Sequence, residues 1–60
     1  MTLYKDSNNN LWNCIGYDEQ SKMHIVTVVD DDEGYYTDTG ITWPMTNEEF
    51  AECTKIEVEV

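Results

Sequence analysis

His24, Cys14 and Cys53 are the residues best equipped for chemistry in this chain, and their spacing limits what they can do. His24 is the only histidine. As a general base it would need a nucleophile and an orienting acid converging on it in a cleft. Sixty residues leave little room for both a core and a pocket of ~300 Å³. Cys14, His24 and Cys53 offer three soft ligands, but the C-x₂₋₄-C spacing of structural zinc sites is missing. Asp6-x-Asn8-x-Asn10 opens like a calcium loop. Leu11 then stands where glycine is needed, and Tyr17 where a bidentate glutamate is needed. The expectation is a binding protein, not an enzyme, with no metal and no cofactor.

The carboxylates remain. Thirteen Asp and Glu stand against three Lys and no Arg, a formal net charge of −10. The usual magnitude that keeps a small domain soluble is ~2–8, so solubility alone does not account for it. Such a surface lacks the Lys and Arg that release counterions from phosphates, which excludes nucleic acid as a direct ligand. It equally disfavours an anionic membrane surface. Rows of carboxylates within a Debye length of ~8 Å of one another present a field like that of a phosphate backbone. The candidate partner-binding residues are Asp30, Asp31, Asp32, Glu33 and Asp38, with the helix acids Glu48, Glu49 and Glu52. Glu57 and Glu59 form a further pair. Charge steers an encounter, but buried aromatics hold it. Tyr35 and Tyr36 are neighbours on a strand and point to opposite faces. One of the two, beside Asp30 to Glu33, is expected to be the exposed anchor.

These residues need a rigid mount, and the pattern along the chain supplies one. Thr2–Lys5 is a short first strand, ended by the turn-forming run Asp6 to Asn10. Leu11–Tyr17 alternates, with Leu11, Asn13, Ile15 and Tyr17 on one face and Trp12, Cys14 and Gly16 on the other. Met23–Val29 is β-branched and continuous. Asp30 to Gly34 reads as the turn after it, and Tyr35–Trp43 as a fourth strand, bent at Gly40 and ended by Pro44. Thr46-Asn47-Glu48-Glu49 is a capping box, and Met45 and Phe50 are spaced as a hydrophobic staple. They predict a short helix over Asn47–Cys53. Lys55–Val60 closes the chain with Ile56, Val58 and Val60 inward. The fold class is mainly β (α+β): one domain over residues 1–60, with five short antiparallel strands and one short helix before the last strand.

A meander closed by a one-turn helix before the final strand resembles a small Src-homology-type barrel. Leu3-Tyr4 is similar to the start of the ligand motif in polyproline-binding members, whose remaining residues and tandem Trp are absent. A twisted sheet with the helix on one face is the alternative architecture. In type, a small acidic domain resembles the nucleic-acid mimics of bacteriophages and mobile elements. Their targets include CRISPR nucleases, restriction enzymes and uracil-DNA glycosylases. That likeness implies an inhibitor, monomer or dimer, that blocks the basic nucleic-acid site of a host protein. The alternative is a homo-oligomeric accessory protein that pairs through a strand edge. Met1 to Asp6 shows no apolar signal-peptide region. The expected compartment is the host cytoplasm, with both cysteines reduced.

Overall fold

Polar turns divide the chain into strands, and pairing between the strands makes one antiparallel sheet. The computed structural model describes residues 1–59. Its elements are β1 (Thr2–Lys5), β2 (Leu11–Asp18), β3 (Met23–Asp32), β4 (Tyr35–Thr46), α1 (Asn47–Ala51) and β5 (Thr54–Glu57). The spatial order is β4-β3-β2-β1-β5. The mainly β fold and the helix before the last strand stand as read from the sequence. The barrel does not: the sheet stays open, with β4 and β5 at its edges. β5 has only four residues, and β1 pairs with β2 at just two positions, Tyr4↔Trp12 and Lys5↔Leu11. So narrow a flank cannot wrap round to meet β4.

Cross-strand partners share a face of the sheet. The pairs Leu3↔Ile56, Lys5↔Leu11 and Leu11↔Val29 place one apolar set on one face. Leu3, Leu11 and Val29 are its buried centre, with Tyr36, Ile56 and Val58 packed against them. The opposite face carries Tyr4, Trp12, Val26, Trp43 and Met45, and α1 lies over it. Phe50 of the helix packs at 4.6 Å from the Tyr4 ring and stacks at 4.1 Å on His24. The Tyr17 ring meets His24 edge-on at 4.9 Å, and His24 Nε2 sits 2.7 Å from Asn47 Oδ1. His24 thus fastens the helix to the sheet.

The helix starts where the capping box placed it. The Thr46 hydroxyl accepts from the Glu49 amide, and the Glu49 carboxylate accepts from the Thr46 amide, both at 3.1 Å. It ends at Ala51, with Glu52 as C-cap, two residues earlier than expected. β4 runs through Pro44 to Thr46 instead of stopping at Trp43. Pro44 is tolerated because β4 pairs only with β3, so its missing N–H costs no ladder bond at a sheet edge. Ile15 is the extra residue of a bulge in β2, since Cys14 pairs with Val26 and Gly16 with Ile25. The bulge reverses the alternation. Tyr17 therefore falls on the face of Trp12 and Cys14, not that of Leu11 and Asn13. β5 spans Thr54–Glu57, and the Val58 amide extends its pairing by donating to the Met1 carbonyl at 2.8 Å. The inward reading of Val60 lies outside the described residues.

Leu3 is 0% exposed, in a core of few residues. Leu3→Ala should lower the unfolding free energy by about 3 kcal/mol, measured by urea denaturation. A loss below ~1 kcal/mol would contradict this account of the core.

Candidate interaction surface

The acidic run reorganises the end of the molecule. Asp30, Asp31 and Asp32 belong to β3, paired with Thr37, Tyr36 and Tyr35. Only Glu33 and Gly34 form the turn, both at positive φ, 51° and 88°. Two central residues in that region make a type I′ hairpin, which matches the twist of its strands. The Asp31 carboxylate accepts from the Gly34 amide at 3.1 Å and steadies it. The expected five-residue turn is in fact a two-residue hairpin turn at the end of the β3–β4 ladder.

This geometry sorts the residues by face. Asp30, Asp32, Tyr35 and Thr37 share one side, and Asp31 and Tyr36 the other. Tyr35 is 79% exposed, whereas Tyr36 packs on the Leu3 cluster. Of the pair, Tyr35 is therefore the exposed ring and Tyr36 part of the core. Asp30, Asp32 and Glu33 accept no hydrogen bond from the chain among the described residues, so their charge is offered outward.

Asp38 has a different occupation. Beyond Val29↔Asp38 the β3–β4 register slips until Thr27↔Thr42. The extra residues of β4 turn at Gly40, at φ 75°. Asp38 clamps this bulge. One carboxylate oxygen accepts from the Gly40 amide at 2.9 Å, and the other from Thr27 Oγ1 at 2.9 Å and Asn13 Nδ2 at 3.2 Å. These bonds, the Gly40 amide first, hold its carboxyl below the ordinary 3.8. The Thr39 hydroxyl completes the bulge by donating to the Val28 carbonyl at 2.8 Å.

The helix acids lie apart from the hairpin. Thr46, just before α1, pairs with Met23, nine residues along β3 from Asp32. That is about 30 Å of strand, in a molecule 36 Å long. Glu48 stands at the helix start, while Glu49 is half engaged in the capping box. Glu49 and Glu52 instead meet Asp6 around a cavity of about 140 Å³ that Trp12, Trp43 and Met45 also line. The sequence reading did not anticipate this grouping. Its one local signal was the Asn-rich turn after Asp6, whose amides and Trp12 indole now bind that carboxylate.

Cys14 and Cys53 are both free thiols. Among the described residues, no group of three or more His, Cys, Asp or Glu is placed to hold a metal ion. Among them, too, no helix is long and apolar enough to cross a membrane. The class the architecture defines is an open five-stranded antiparallel sheet with one helix on a face and an acidic hairpin at one end. No family model, curated protein or solved structure matches the chain.

Asp38→Asn tests the clamp through pH. A carboxyl depressed in the fold stabilises above its unfolded value, and the benefit is lost as pH falls through the lower folded value. Wild type should melt above Asp38→Asn at pH 7, and the gap should narrow as pH falls below the ordinary carboxyl value of 3.8. Equal melting temperatures at pH 7 would contradict the clamp.

Proposed function

We propose that the chain is an acidic inhibitor of the phage or mobile-element type, acting in the host cytoplasm. It presents a nucleic-acid-like charge to the basic nucleic-acid site of a host protein, such as a nuclease or DNA-repair glycosylase. It works by occupying that site, not by catalysis.

One observation carries this reading: the acidic run is extended strand. A strand rises about 3.3 Å per residue. Asp30 and Asp32 therefore project from one face about 6.7 Å apart, with Asp31 on the other face and Glu33 in the turn beyond them. A DNA strand carries one phosphate per ~3.4 Å of axis. Counted over both faces, Asp30 to Asp32 carry about the same charge per unit length. Tyr35 adds a ring beside Asp32 that can enter a groove or stack on a guanidinium.

Backbone strain at the tip supports the same reading. A type I′ turn favours Asn-Gly, and a non-glycine residue in the left-handed region costs about 1–2 kcal/mol. Glu33 occupies that position at φ 51°. A charge is kept where a neutral Asn would fold better.

Glu33→Asn should therefore stabilise the protein by about 0.5–1 kcal/mol in urea denaturation. The triple change Asp30→Asn, Asp32→Asn and Glu33→Gln should slow association with a captured partner at least tenfold at low salt. Glu48→Gln with Glu52→Gln should slow it far less. If the helix pair mattered as much as the hairpin, the hairpin would not be the contact.

A further inference from the structure

The cavity between the Asn-rich turn and α1 has the chemistry of a cation receptor. Two indoles line it, Trp12 from β2 and Trp43 from β4, together with Met45 and the carboxylates of Asp6, Glu49 and Glu52. The pairs Trp12↔Val28 and Val26↔Trp43 set the two Trp on one face, two strands apart and two residues along. Their backbones are thus about 12 Å apart, and a group seated midway lies near the ~6 Å reach of cation–π attraction from each side. Trp43 is 55% exposed, so much of its indole remains open to a ligand.

The Trp12 ring is held in place. Its Nε1–H donates to Asp6 Oδ2 at 3.0 Å. Asp6 in turn accepts from the backbone amides of Asn8 and Asn10, each at 2.9 Å. A carboxylate on the indole N–H pushes electron density into the ring and strengthens its face as a cation acceptor. None of the three lysines of the chain lines the cavity. The convergence of the charges registers on a neighbour: burial first, and then Asp6, Glu49 and Glu52, push the Cys53 thiol up.

Size and spacing select the ligand. At ~30 Å³ per water, 140 Å³ holds about four or five waters, or an ammonium with a few methylenes. No group of three acids here is close enough to share a bare metal ion. A larger, softer cation that uses ring faces as well as carboxylates fits. We propose that this cavity is a receptor for an alkylammonium group, the end of a lysine side chain on a partner protein. The inference goes beyond the acidic tip of the hairpin and uses none of Asp30 to Tyr35.

Choline chloride is the probe, titrated while the two indole N–H signals are followed by NMR. Saturable shifts of both signals with millimolar affinity are expected. The neutral carbon isostere 3,3-dimethylbutan-1-ol should bind at least tenfold more weakly. Trp43→Ala, at an exposed position, should keep the backbone amide spectrum and weaken choline about fivefold. Glu52→Gln should weaken it about twofold. Equal binding of the isostere, or no effect of Trp43→Ala, would overturn the site. A short lysine-containing peptide should displace choline. Displacement by spermidine but not by the peptide would overturn the assignment to a partner chain. The hairpin triple variant should bind choline unchanged, so failure here and failure of the inhibitor reading are separable.

Discussion

Mutual repulsion among thirteen carboxylates is the constraint that the rest of the structure answers to. A net charge of −10 on 60 residues works against compaction, and among the described residues the buried hydrophobic core is only Leu3, Leu11, Val26, Val29 and Met45. The chain meets this in two ways. Asp6, Asp18, Asp31, Asp38, Glu49 and Glu57 are engaged near the surface as acceptors for amides, hydroxyls and an indole. There they cap and clamp turns, so part of the charge stabilises the fold. The remaining acids are spread along a sheet that stays open and elongated, not closed into a barrel.

This division separates structural acids from displayed ones. Asp38 and Asp32 are six residues apart in sequence, yet Asp38 clamps a bulge from three donors while Asp32 faces solvent beside Tyr35. The hairpin is held by the β3–β4 ladder and its two-residue turn. A display ordered by backbone pairing lowers the ordering cost of an encounter. In the proposed function, charge on such a mount governs how fast a partner is met, and we propose Tyr35 and the indole-lined cavity as the places where it is held.

Local features were legible in the sequence because local chemistry specifies them. The Thr46–Glu49 capping box sits where four consecutive residues put it. Gly40 marked an irregularity because only glycine turns cheaply at positive φ. The strand order of a meander follows from tight polar turns. Non-local pairing hid the rest. Ile15 carries no mark of a bulge, and the inverted face of Tyr17 appears only once Gly16 is seen to pair with Ile25. Asp30–Asp32 read as a turn by composition, since nothing local reveals that β4 will pair with them. Pro44 looked like a strand end because an edge position is a property of the whole sheet. The meeting of Asp6, Trp12, Trp43 and Glu52 spans most of the chain and has no linear signature.

Capture followed by competition bears most directly on the central claim, that the hairpin stands in for a nucleic-acid strand. The immobilised protein would be loaded from a bacterial lysate at low salt, then eluted with a short DNA duplex or, in parallel, with an equimolar neutral polymer. The account predicts that DNA alone releases nucleic-acid-binding proteins, and that their capture falls steeply between 50 and 200 mM salt, by about the orders of magnitude expected when several charges pair. Partners that stay bound while they also hold the duplex, with affinity indifferent to salt, would contradict it.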